Sequence, residues 1–381
     1  MFGIVTSALR SDRGALLSAM LLCLAVAGAA GSGCRGKPES RLIGAILPLT
    51  GAEALYGDSI RKGADLALIE KNELLRNSGT RYILVFRNSR GNAADGEAAY
   101  ESLNKLGIHV LLGPAISEVA QQVARLVNRD HGLMLTPAAT APNLTKGRGF
   151  VFRNAPSDVY EAVAMAVYCQ KNELKRIAVL ASDSSYGQGL REELVSKALE
   201  LGIAIAADVR FPAGTSDFSE LLDTITAAKP LAIYVPAYYH EIAAILRHAK
   251  AKGITAQFLV PASFVVRGVI AASGADAEGV IVAQPDYDPA SPAEPLHSFV
   301  TAYRKRYGED PDVFAALSYD AVNMLVATME ISGDRPDEVA QGLRVMKRFP
   351  GVMGETQFDD AGDVIKVPKL KRVVNGHLEQ I

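Results

Sequence analysis

The chain has 381 residues, of which 49% are hydrophobic and 22% charged, and its 40 basic and 42 acidic side chains leave a formal net charge of −2. That length favours two domains or one large one. The balanced charge excludes the basic excess by which nucleic-acid and anionic-membrane binders are recognised, so no nucleic-acid partner is expected.

The N-terminus departs from this average. Arg10 and Arg13 precede an uncharged apolar run over 15–30, followed by Gly31-Ser-Gly-Cys34 and a polar stretch over 35–40. This is the three-part plan of an export signal, too short and too rich in small residues for a transmembrane helix. Small residues ending at a cysteine resemble a bacterial lipoprotein cleavage site. Residues 1–33 are therefore read as a signal peptide, Cys34 as the lipid-bearing first residue and 34–41 as a tether, although Gly31 stands where that pattern usually has leucine. Ordinary cleavage within 25–29 is the alternative. The expected location is the periplasm or the cell surface, at a bacterial membrane. Cys23 leaves with the signal, so Cys169 is left as a thiol on the apolar side of a predicted helix, with no internal disulfide expected.

Strand-like and helix-like segments then alternate. Strands are predicted over 42–47, 82–86, 110–112 and 133–135, with helices over 58–77, 93–106 and 118–130 between them. A second series follows Arg153-Asn-Ala-Pro156. Its predicted helices cover 159–171, 187–201, 216–228 and 241–252, and its predicted strands 176–180, 204–211, 232–235 and 257–260. Past Pro285 the pattern turns helical, over 296–307, 313–332 and 337–347. Strands over 355–358 and 364–374 then flank the turn Asp359-Asp-Ala-Gly-Asp363. The βαβα rhythm implies an α/β fold of two doubly wound parallel-sheet lobes. No flexible linker separates them, so the chain is expected to cross between lobes more than once. The expected division is 42–156 for lobe 1, 157–284 for lobe 2, 285–350 for a return to lobe 1, and 351–381 for lobe 2 and the hinge.

The most informative stretches are Gly113-Pro-Ala-Ile-Ser117 and Thr136-Pro-Ala-Ala-Thr140. Each follows a predicted buried strand and offers small residues, a hydroxyl and backbone N–H groups at the strand's C-terminal end, where ligands bind in open α/β sheets. Two such turns side by side make a cradle for a carboxylate or similar anion. Three further turns put a tyrosine at a predicted rim: Tyr56 after the first strand, Tyr186 and Tyr238 in the second series. Tyrosine offers a rigid apolar face and one hydroxyl, which suits a pocket closing over a small organic ligand.

Neither cradle turn holds a nucleophile, an acid or a base. The chain has no GxxxxGK[ST] loop, GxSxG elbow, HExxH or paired CxxC. Gly187-Gln-Gly189 lacks the third glycine and downstream acid of a dinucleotide site, and His240 beside a helix start reads as a surface or capping group. No cofactor and no metal are expected, and an enzyme is disfavoured.

These residues resemble those of the type I periplasmic solute-binding proteins of the branched-chain amino-acid (Leu/Ile/Val) class, which feed ABC transporters. The resemblance spans about 42–374. It rests on Ile43-Gly-Ala-Ile-Leu-Pro-Leu-Thr-Gly51, Tyr56-Gly57, 113–117, 136–140 with Pro142-Asn-Leu-Thr145, Tyr186-Gly-Gln-Gly189, Ser318-Tyr-Asp-Ala321 and Phe358-Asp-Asp-Ala-Gly-Asp363, in that order. It implies two α/β lobes joined by a three-crossover hinge that close on a small-molecule ligand. It also implies a monomer that delivers its ligand to an ABC transporter permease. By resemblance, Ser117, Ala138 and Thr140 hold the ligand carboxylate, and Tyr56, Tyr186 and Tyr238 line the pocket. A ligand-sensing subunit of a signalling receptor with the same fold is the alternative.

One departure stands out. The amino-acid binders place an acid against the ligand ammonium in a turn that here reads Val260-Pro-Ala-Ser263, with Ala262 at the acid's place. Glu241 and Asp183 are the nearby candidates to replace it. The expected ligand is a small carboxylate-bearing compound, an amino acid or one like it. Because a desolvated ammonium without a counter-charge costs several kcal/mol, the departure points to one without the α-amino group, such as a keto acid or an aromatic acid, or to an amide-like analogue.

Overall fold

The computed structural model describes residues 39–381. The expected signal peptide and Cys34 lie outside them. Two sheets carry the fold. The first has the order β2-β1-β3-β4-β5, all parallel, with β1 Glu39–Leu47, β2 Thr80–Asn88, β3 Val110–Leu112, β4 Leu133–Thr136 and β5 Val151–Arg153. Helices α1 Ala54–Leu74, α2 Ala93–Lys105 and α3 Ser117–Asp130 connect these strands. β3 and β4 are buried along their whole length, as their unbroken apolar runs require of strands covered on both faces.

The second sheet contains β6 Arg176–Ser182, β7 Ala204–Phe211, β8 Ala232–Tyr234, β9 Gln257–Val260 and β10 Ile281–Gln284. Its parallel part runs in the order β10-β9-β8-β6-β7. Its helices are α4 Asp158–Lys171, α5 Ser185–Glu200, α6 Ser219–Ala227, α7 Tyr239–Ala251 and the short α8 Val269–Ser273. After α9 Leu296–Tyr307, the long α10 Val313–Ser332 and α11 Pro336–Val345 pack back on the first lobe. A small hairpin follows, β11 Phe349–Gly351 and β12 Gly354–Thr356. β13 Lys369–Val374 and β14 His377–Gln380 then extend the second sheet in antiparallel fashion beside β10. The chain thus passes between the sheets three times: after β5, after β10 and before β13.

The differences from the sequence reading have local causes. β5, β10 and β14 were not expected, because three or four residues are too few to show a period. The strand expected over 364–374 begins only at Lys369, because Pro368 can donate nothing to a ladder. Val364 makes a single antiparallel bridge to Phe358. The first-lobe return does not end at 350. Phe358 packs edge-on against Phe152 of β5 at 5.3 Å, and the buried Asp320 of α10 accepts the Val352 and Met353 N–H groups. Arg153, fully buried, holds the turn after Phe358 by a two-pronged pair with Asp363 and a third bond to the Ala141 carbonyl. The chain leaves lobe 1 between Val364 and Lys369. Cys169 is buried and unpaired, as expected.

The return helix fixes the back of lobe 1 through a close approach to α1. A Cβ placed on Gly63 would fall inside the radius of the Ala315 carbonyl oxygen. Gly→Ala within a helix ordinarily gains up to about 1 kcal/mol, but here a backbone carbonyl would have to yield. Gly63→Ala is therefore expected to destabilise the protein by ~1–3 kcal/mol, measured as a lower midpoint in urea unfolding.

Candidate ligand site between the lobes

Parallel strands followed by helices put both sheets' C-terminal rims at the cleft. In lobe 1 the two cradle turns lie side by side because β3 and β4 pair directly. The Thr136 hydroxyl ties them, donating to the Pro114 carbonyl at 2.6 Å and accepting the Ala139 N–H at 3.1 Å. Ser117 is the first residue of α3 rather than the last of the turn. Its N-cap, Ile116, has no side-chain acceptor for the first-turn N–H groups, which leaves them to a ligand.

The tyrosines arrive on helix starts. Tyr56 sits in the first turn of α1, Tyr186 in the first turn of α5, and Tyr238 caps α7. Tyr186 and Tyr238 stack at 5.1 Å, and Tyr56 meets Phe314 edge-on at 5.0 Å. Burial pushes the hydroxyls of all three well above the usual phenol range, so they act as neutral hydrogen-bonding groups. Every ligand contact expected from the sequence lines one cavity. Ser117, Ala138 and Thr140 form one wall, Tyr56, Tyr186 and Tyr238 the aromatic wall, and Ala262 the far end. In this closed form the cavity is tight, about 40 Å³.

The lobes are closed over it. Tyr56 donates to the Ser263 carbonyl of the other lobe at 2.7 Å. Glu118 of α3 reaches across to the Ser185 N–H and to the Tyr238 hydroxyl, the latter at 3.1 Å. Arg267, on the loop before α8, pairs with Asp58 of α1 at 2.9 Å and with Glu309.

The far end holds what the sequence reading missed. Glu161, in the first turn of α4, lines the cavity, and its carboxylate accepts the Ala262 N–H at 3.3 Å. Burial, then the neighbouring Asp158, push its carboxyl well above the ordinary range. Asp158 is fully buried, and its carboxyl makes no hydrogen bond of ordinary geometry, with the Thr140 hydroxyl beside it. Burial pushes its carboxyl up to about 7, against the opposing influence of the Thr140 hydroxyl and the Arg153 charge. The nearby Tyr234 hydroxyl is likewise buried without a partner. The expectation that this end carries no acid is thus corrected. The legible signal was the buried stripe of α4, where Asp158 and Glu161 occupy the same face as Ala162, Met165 and Cys169.

The two substitutes named from sequence do not serve. Glu241 is occupied by the Tyr238 and Gly214 N–H groups, and Asp183 faces Arg210 at the half-exposed rim. His240 is partly buried and held neutral by that burial, with Nδ1 unpartnered. Among the described residues no cluster of three or more His, Cys, Asp or Glu side chains could hold a metal ion.

Residues 42–366 match the periplasmic binding protein family. The chain belongs to this family. It is 30% identical over 331 residues to a Leu/Ile/Val-binding protein of Rhizobium johnstonii, covering 84% of this chain and 88% of that one. It is 28% identical to a leucine-, isoleucine-, valine-, threonine- and alanine-binding protein of Pseudomonas aeruginosa, covering 83% and 85% of the two chains. Among solved structures, a leucine-binding protein of Thermotoga maritima superposes with a TM-score of 0.84 at 31% identity, over 89% of this chain and 97% of that one. Membership implies an extracytoplasmic place of action, and these relatives are solute binders rather than enzymes.

In this periplasmic binding protein the closed site carries a pH-dependent cost. The Asp158 carboxyl lies at about 7 folded against an ordinary 3.8. Its favourable contribution is complete below the ordinary value and is lost as pH rises through the folded one. Asp158→Asn is expected to leave ligand-free stability unchanged near pH 4 and to raise it by ~2–4 kcal/mol near pH 8. Urea unfolding at the two pH values measures the difference.

Proposed function

We propose that this protein captures a small carboxylate-bearing solute between its two lobes, outside the cytoplasm, and delivers it to the permease of an ABC transporter. The observation that carries this reading is the pair of turns clamped by Thr136 on one rim, with a tyrosine wall from both lobes closing over them. Ser117, Ala138 and Thr140 take the carboxylate through hydroxyl and backbone N–H groups, with the uncapped start of α3 adding its partial positive charge. Tyr56, Tyr186 and Tyr238 enclose the apolar body, and Ala262 adjoins the opposite end. The names of the relatives, which bind branched-chain and small amino acids, support a solute of that size.

The cross-lobe bonds of Glu118, Tyr56 and Arg267 are the contacts that opening breaks, so capture and release correspond to making and breaking them. The chain acts as a monomer. A lipid on Cys34 holds it at the membrane beside its permease.

Isothermal titration with L-leucine, L-valine and L-alanine tests the site. Ser117→Ala and Thr140→Ala are each expected to weaken binding about 10-fold, the usual scale of one hydrogen bond to a charged group. Affinity unchanged in both variants would move the carboxylate elsewhere. Cys34→Ser is expected to shift the protein from the membrane to the soluble fraction, read by fractionation of the expressing cells.

A further inference from the structure

The far end of the cavity holds more negative capacity than the closed protein uses. Glu161 is 8% exposed, and its one protein partner is the Ala262 N–H. Beside it Asp158 is 1% exposed with no hydrogen bond of ordinary geometry to its carboxyl, and the Tyr234 hydroxyl is unpartnered and fully buried. Buried polar groups are almost always satisfied. Glu161 lines the cavity with that single protein partner, while Asp158 and Tyr234 lie behind the wall, so the cavity presents an acceptor whose donor the protein does not supply. An ammonium suits this place, since it brings three N–H donors and a positive charge together.

We propose that Glu161, backed by Asp158, is the counter-charge for a ligand ammonium, so that this protein selects α-amino acids over acids that lack an amino group. The proposal rests on the solute-binding reading above and names the class of solute.

Ala262 belongs to this arrangement. A short side chain there leaves room for the Glu161 carboxylate, and its backbone N–H holds that carboxylate in place. An acid at 262 would face Glu161 as a like charge. The counter-charge has therefore moved from the turn after β9 to the first turn of α4. Asp158 is a positioning residue. It adds negative potential behind Glu161, and its own N–H is bonded to the Thr140 carbonyl at 3.0 Å, which joins the acid end to the carboxylate cradle. A purely anionic ligand would bring its negative charge towards Glu161 on the cavity wall and Asp158 behind it.

Calorimetry on the full exported chain decides the matter. L-Alanine, L-valine and L-leucine are compared with pyruvate, 3-methyl-2-oxobutanoate and 4-methyl-2-oxopentanoate. The wild-type protein is expected to bind its best amino acid about 100-fold more tightly than the matching keto acid. Glu161→Gln is expected to lose about 100-fold for the amino acid and to change keto-acid affinity less than about 3-fold. Retained keto-acid binding shows that the variant is folded, and the wild-type comparison stands without it. A keto acid bound as tightly as its amino acid, or amino-acid affinity unmoved by Glu161→Gln, overturns the proposal and leaves the solute-binding reading standing. No binding of either series overturns both.

Discussion

Closing two sheet rims against each other takes water from every polar group between them, and that desolvation governs the whole site. Each buried donor or acceptor then needs a partner from the facing lobe or from a ligand, because an unmade hydrogen bond costs about 1–3 kcal/mol. Most find one in the protein. Tyr56 reaches the Ser263 carbonyl, Tyr238 and the Ser185 N–H share Glu118, and Arg267 meets Asp58. The exceptions include Asp158 and Tyr234 behind Glu161, and also His240 Nδ1 and Arg267 Nε.

One wall is aromatic for a physical reason. Tyr56, Tyr186, Tyr238 and Phe314 bury large faces with few rotatable bonds, and each edge-to-face or stacked pair adds about 0.5–1.5 kcal/mol beyond its area.

Helix starts recur at this site because helices α1, α3, α4, α5 and α7 all begin at the cleft. Their first turns bring unsatisfied N–H groups and partial positive charge. α3 has no side-chain cap and offers these to a carboxylate, whereas α5 and α7 spend theirs on Ser184 and Glu241. The same helix geometry thus yields a ligand cradle in one place and a rigid frame in another.

The alternation of elements, the two small-residue turns and the three rim tyrosines were legible in the chain, because each depends on a strand, its turn and the next helix within about twenty residues. Cys169 was legible for the same reason, as one position on a helical stripe. Glu161 was not read as a site residue. Its role depends on the chain crossing after β5 to bring α4 under the turn after β9, a hundred residues later, and no local period encodes that meeting. Nor could the sequence place 351–364, whose lobe is decided by Asp320 and Arg153 reaching across from distant elements. Sequence alone determined the two small-residue turns at neighbouring strand ends, because each is set by local backbone geometry. Only the tertiary structure decided what stands beside Ala262, because α4 and the turn after β9 meet through packing within the second lobe that no local period encodes.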